Sequence, residues 1–122
     1  MFGREKIAAL VAEFVGTFVL SSAVLAMLGR TTFPFFAAMA AGLAVTGMTL
    51  AFGAVSGGYY NPAITIAAWT VRKLETGRTL VFVAAQMLGG VVAWPLNQYF
   101  LNTTIKNIAG VTFDWRVVTA EA

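Results

Sequence analysis

The chain has 122 residues, 59% of them hydrophobic and 11% charged, with a mean hydropathy of +0.80, which places it among membrane proteins. Eight Lys+Arg against five Asp+Glu leave a net charge of +3, too sparse for a nucleic-acid partner, so membrane lipid is the expected surroundings and the basic residues read as topology signals. The absence of Cys and His removes the disulfide, the thiol nucleophile, the ordinary neutral-pH base and the usual nitrogen metal ligand, so no catalytic residue, metal or cofactor is expected.

In chain order, Met1-Phe2-Gly3-Arg4-Glu5-Lys6 leads into an apolar run over 7–28 that carries one charge, Glu13. The run is too long for a typical signal-peptide core and is read as a retained membrane helix. A polar turn, Gly29-Arg30-Thr31-Thr32, precedes a second run over 33–55, which has no charge and has Pro34 near its start. A third run covers 79–101, with a kink expected at Trp94-Pro95. Each run is long enough to cross a bilayer core of about 30 Å. Residues 1–101 are taken as one unit and 102–122 as an extramembrane tail. The fold class is therefore all-α, with three transmembrane helices and one re-entrant half-helix, in an integral membrane protein of the cell's inner membrane.

The half-helix is the stretch 56–71. Ser56-Gly57-Gly58-Tyr59-Tyr60 reads as a loop; Asn61 is a good N-cap and Pro62 suits the first helical position. With Arg72-Lys73 as its limit, the helix has roughly ten residues, about 15 Å, which is half of the bilayer core. A helix that stops there aims its positive end and free N–H groups at mid-membrane. Irregular backbone at that depth needs cover from protein or a wet cavity. The stretch thus reads as half of a pore. Counting basic residues, Arg4, Lys6, Arg72, Lys73 and Arg78 fall on one side, and Arg30, Lys106 and Arg116 on the other, a mild bias toward an inside N-terminus.

Asn61 carries the functional reading. Its side-chain oxygen can cap Ala63 or Ile64, which turns its amide NH₂ outward as a donor to the oxygen of water or an alcohol. The same positive end repels cations. An extended run of Gly57, Gly58, Tyr59 and Tyr60 would line up carbonyls as acceptors for a permeating molecule. Glu13, two turns into the first span, is the acid placed to accept from the loop's N–H groups. Gln86 can do similar work. The blander alternatives are an ordinary capped helix, a plain turn, a snorkelling acid and a helix–helix hydrogen bond. Gly16, Gly42, Gly47, Gly53, Gly89 and Gly90 allow close helix packing.

Three ordered motifs resemble the aquaporin and glycerol-facilitator family. Ala12-Glu13-Phe14-Val15-Gly16-Thr17 is similar to its first-helix AEFxGT signature. Ser56 through Thr65 is similar to SGxHxNPAVT, and Ala85-Gln86-Met87-Leu88-Gly89-Gly90 to the AQxxGG/A pattern of the third helix. The resemblance implies a pore for water or small neutral solutes such as glycerol. It implies Asn61, Pro62 and Ala63 at the centre, Glu13 as brace, and carbonyls of residues 57–60 along the path. It also implies departures. The family has two inverted halves with two NPA boxes, and the second half carries Arg directly after its box; Ile64 stands in that place here. Ala41 aligns with a bulky filter residue, and Tyr59 with a pore-loop His. The expected assembly is an inverted pair of identical chains within a higher homo-oligomer. The competitors are pairing with an unlike half and a non-conducting assembly subunit; an enzyme is not expected, with no His, Cys, paired intramembrane acids or nucleotide loop in the sequence.

Overall fold

The computed structural model describes residues 3–101; the expected tail, 102–122, lies outside the described residues. Four helices follow in order: α1 (Arg4–Leu28), α2 (Pro34–Ser56), α3 (Pro62–Thr70) and α4 (Thr76–Leu101). Three of them, α1, α2 and α4, are long and apolar enough to cross a membrane. The first and last begin three residues before the apolar runs at 7 and 79. The reason is physical: charged first-turn residues such as Arg4, Glu5, Lys6 and Arg78 are good helix formers, and hydropathy alone does not register them. α4 continues unbroken through Pro95.

Local chemistry explains the boundaries. The turn after α1 is closed by Phe33, whose N–H donates to Thr31 Oγ1 at 3.1 Å. Pro34 then takes the first position of α2, where a missing N–H costs nothing. α2 ends because Gly57 adopts φ 105°, a left-handed conformation that stops the helix while its N–H returns to Gly53's carbonyl at 2.9 Å. At the end of α3 the left-handed residue is Arg72, φ 59°; the N–H of Lys73 reaches back to Ala68's carbonyl at 2.9 Å, a Schellman-type end without a glycine. The carbonyl of Glu75 receives both the N–H and the hydroxyl of Thr79, each at 2.9 Å, and starts α4.

α1 is the central helix and packs on both α2 and α4; α3 packs on α4. The buried positions of α1 are Ala9, Ala12, Glu13, Gly16 and Thr17, a stripe at spacings of three and four made of small or polar residues. Such a stripe permits close approach. At Gly89 of α4 the approach is close enough to need glycine, since a Cβ there would stand 2.5 Å from Phe14's carbonyl oxygen. Farther along, Asn97 Nδ2 donates to Ser22 Oγ at 3.0 Å and ties the same two helices.

The ends sort to two sides. Arg78 reaches the carbonyl of Ser56 at 3.2 Å, and Trp69 Nε1 donates to Thr76 Oγ1 at 2.9 Å. Ala9 shares a small core with Ala68, Leu74 and Phe82. The start of α1, the ends of α2 and α3, and the start of α4 therefore share one side, called here the near side. The far side carries the aromatic groups Phe33, Phe35 and Phe36, with ring centroids 5.7–6.1 Å apart, and Tyr99 with Phe100 at 5.5 Å. Such rings suit a membrane–water interface.

Candidate functional site: a re-entrant loop and the start of a half-helix

α3 has nine residues, about 14 Å at 1.5 Å per residue. Its start lies at half depth. Glu13 is the tenth of α1's 25 residues and Gln86 the eleventh of α4's 26. Each is therefore about 15 Å from the near end of its helix, and both bond the loop or α3.

Glu13 is fully buried. Its Oε1 accepts from the N–H of Tyr59 at 3.2 Å, and its Oε2 from the N–H of Tyr60 and from Gln86 Nε2, both at 2.6 Å. Both oxygens act only as acceptors, which is what a carboxylate offers. Gln86 also donates to Thr65 Oγ1 at 2.8 Å, and the Thr65 hydroxyl donates to Asn61's carbonyl at 2.9 Å. One chain of bonds thus links α1, the loop, α3 and α4. No buried side-chain nitrogen or oxygen among the described residues lacks a partner. A half-satisfied network in this setting would be costly.

Tyr60 locks the loop from the other side. Its φ is 49°, a conformation that costs a side-chain-bearing residue roughly 1–2 kcal/mol. Its ring lies over Gly16, where a Cβ would collide with it. Its hydroxyl donates to Met48's carbonyl at 2.9 Å, and its own carbonyl accepts from Thr17 Oγ1 at 2.8 Å. Tyr60 is 1% exposed. Of the four carbonyls expected to line up, that of Tyr60 is thus turned into the chain and taken by Thr17.

The other backbone groups of the loop divide by type. The N–H of Gly57 goes to Gly53's carbonyl, that of Gly58 to Ser56 Oγ at 3.2 Å, and those of Tyr59 and Tyr60 to Glu13. The carbonyls of Gly57, Gly58 and Tyr59 accept from no described residue. All N–H groups are spent inward, and three acceptors are left over.

Asn61 is the N-cap of α3, with φ −147° and ψ 127°, and its Oδ1 accepts from Ala63's N–H at 2.8 Å. That commits the oxygen and leaves Nδ2 as the unspent donor. Pro62 occupies the first helical position. Thr65 and Ala68 face inward, whereas Ala63, Ile64 and Ile66 are exposed, Ile64 by 54%. α3 is therefore covered on its α4 side and open on the other. Ala41 is not brought to this point: it is half-buried on α2, which does not pack on α3.

Sequence reasoning missed Thr17, Thr65 and Ser56, and took Arg78 for a topology charge alone. A signal existed for two of them: Thr17 stands four residues after Glu13 and Thr65 four after Asn61, one helical turn along the same face.

Residues 3–121 match the family model of the major intrinsic proteins. The chain belongs to the major intrinsic protein family. It is 36% identical over 88 residues to the glycerol uptake facilitator protein-like 6 of Lactiplantibacillus plantarum, covering 67% of this chain and 38% of that protein. It is 35% identical over 95 residues to aquaporin Z of Photorhabdus laumondii, with 69% and 39% covered. With aquaporin NIP3-1 of Oryza sativa the identity is 40% over 88 residues, with 67% and 28% covered. The matched region thus spans less than two-fifths of each of these relatives. With three apolar helices of spanning length, this member of the family is an integral membrane protein.

Proposed function

We propose that these residues form one half of a passive channel for water and small neutral solutes such as glycerol, and not an enzyme. In this reading the second half is an inverted copy of the same chain. The observation that carries it is the division of hydrogen-bonding groups at half depth. Three loop carbonyls and the Asn61 amide are left unspent, next to the positive end of α3. Acceptors and a donor in a row replace the hydration of a neutral, hydrogen-bonding permeant, and the helix end disfavours cations. Relatives named as glycerol facilitator and aquaporins agree with this class of permeant.

The pairing has its own argument. A helix of about 14 Å cannot line a core of about 30 Å, and unspent polar groups facing hydrocarbon cost several kcal/mol each. A half-helix entering from the opposite face removes both problems, bringing two Asn61 amides together near the midplane. Pairs of this kind then assemble further into a higher homo-oligomer. Ile64 leaves the constriction wide, since no cation narrows it directly after the Asn61-Pro62-Ala63 box, and Tyr59 replaces an imidazole.

A second reading has a specific feature in its favour: the basic residues are unequal between the two sides, with Arg72, Lys73 and Arg78 together on the near side. That bias favours one orientation, hence pairing with an unlike half that carries an arginine after its own NPA box. The test is flux through liposomes containing this chain alone. The first reading expects both water and glycerol to pass. Silence alone but flux after addition of an unlike half selects the second, and silence in both leaves a non-conducting subunit. Gly77→Cys reports orientation, because Gly77 is exposed with open space around a would-be Cβ. An impermeant thiol reagent should label about half of it in intact cells.

A further inference from the structure

The near-side end of the loop holds a cation that the reading above does not use. Arg78, in the first turn of α4, donates from Nη2 to the carbonyl of Ser56 at 3.2 Å. Its guanidinium stands 4.9 Å from the centroid of Phe82's ring, within cation–π range. Phe82 is buried and lies 6.2 Å from the ring of Tyr59. Arg78 is thus held at both ends: by the residue that precedes Gly57 and by the ring that meets Tyr59. The residue nonetheless remains exposed.

We propose that Arg78 is the charge-selectivity residue of this channel, a fixed cation at the near-side mouth that keeps cations out of a path whose own wall is negative. This rests on the channel reading. The charges around the loop decide the matter. Glu13 contributes a full negative charge behind Tyr59 and Tyr60. The end of α2 at Ser56 contributes about −0.5, and the starts of α3 and of α4, whose first turn carries Arg78, about +0.5 each. Without a side-chain cation the sum is about −0.5, which would draw cations toward the loop carbonyls. Arg78 brings it to about +0.5, and it does so on the outer side, where an approaching ion meets it first. Of the cations among the described residues, Arg78 is the one bonded to the loop. With Ile64 after Pro62-Ala63, the half-helix has no arginine of its own to do this. In an inverted pair each mouth would carry one Arg78, so the screen is symmetric. Phe82 and the Ser56 carbonyl matter because they fix the guanidinium beside the loop.

The measurement compares two planar permeants of nearly equal size, urea and guanidinium, in liposomes containing the full chain. Their flux ratio cancels changes in pore width. In Arg78→Gln the guanidinium-to-urea ratio should rise on the order of tenfold, the effect of one unit charge at roughly 10 Å through an effective dielectric of about 20. In Arg78→Lys the ratio should stay within about twofold of the starting protein, because the charge is kept. Two results overturn the proposal: urea flux with an unchanged ratio in Arg78→Gln, or a rise in Arg78→Lys as large as in Arg78→Gln, which would make Arg78 a structural tie between α2 and α4. A starting protein that passes neither urea nor water fails the channel reading itself, and the proposal falls with it.

Discussion

The two sides of the re-entrant segment differ in how much of their chemistry is already satisfied. Toward α1 and α4, every group is engaged: Glu13 takes three donors, Gln86 bridges two helices, and Tyr60 is fixed by its ring, hydroxyl, N–H and carbonyl. Three loop carbonyls and the Asn61 amide, by contrast, have no partner among the described residues, and on the uncovered side of α3 Ile64 and Ile66 are exposed. The same five loop residues serve both sides. The difference separates what holds the loop from what the loop presents. A residue on the inner side should act on stability, and one on the open side on transport, and substitutions can break or sharpen that division.

The largest effect is expected at Glu13. Glu13→Ala leaves the N–H groups of Tyr59 and Tyr60 and the Gln86 amide without their acceptor. An orphaned buried donor costs about 1–3 kcal/mol, so the loss should reach about 3 kcal/mol. Melting of the detergent-solubilised protein measures it. An unchanged midpoint would mean that the inner network holds nothing.

Asn61→Asp should act the other way round. Asp still caps Ala63, so the fold should lose less than about 1 kcal/mol, but the outward donor becomes an acceptor with a negative charge. Water flux per folded channel should fall about tenfold, an increase of about 1.4 kcal/mol in the barrier. Stopped-flow shrinkage of proteoliposomes reads it, and undiminished flux would take Asn61 off the path.

These two residues also show how far the sequence could be read. Asn61 was legible because capping is local: an Asn-Pro pair before an apolar stretch has one good structural use. Glu13 was legible as an anomaly, an acid within an apolar run that must find donors. The three long helices followed from run length, with the starts of α1 and α4 displaced because hydropathy ignores charged helical turns. Tyr60 was not legible. Its side chain decides the direction of its carbonyl, and that depends on Gly16 leaving room on a helix 44 residues earlier. Arg78 was hidden for a similar reason. A basic residue beside a membrane span looks alike whether it faces water or caps a helix end, and only the meeting of Ser56 with α4 distinguishes them.

Ile64→Arg tests the width of the open side. It places a cation directly after the Asn61-Pro62-Ala63 box on the uncovered face of α3. Glycerol flux should drop severalfold more than water flux, since the larger permeant loses more from a narrowed path. Equal reduction of both would mean that Ile64 does not border the constriction. A protein passing water but no glycerol before the change would contradict the wide-pore reading.

The smallest effect is expected on α2. This helix packs on α1 and not on α3 or α4. Phe36, Leu43 and Leu50 recur every seven residues along it and are 50%, 68% and 83% exposed, a single exposed stripe. The loop side of the same helix is marked by Thr49 and Gly53, which lie near Gly58, and Leu50 stands about 100° around from Thr49 and about 60° from Gly53. Lipid chains are as apolar as leucine, so nothing drives such a stripe out of contact with them. Leu50→Ala should therefore shift stability by no more than about 0.5 kcal/mol, the range for substitutions that empty no core. A residue packed against another protein surface would behave differently, because truncating a buried leucine costs about 2–5 kcal/mol through the cavity it leaves. Melting of Leu50→Ala beside Glu13→Ala thus measures the two sides on one scale. A loss at Leu50 approaching that at Glu13, with a smaller assembly on size-exclusion chromatography, would place a protein partner on this stripe and move the uncovered region from α3 alone to α2 as well.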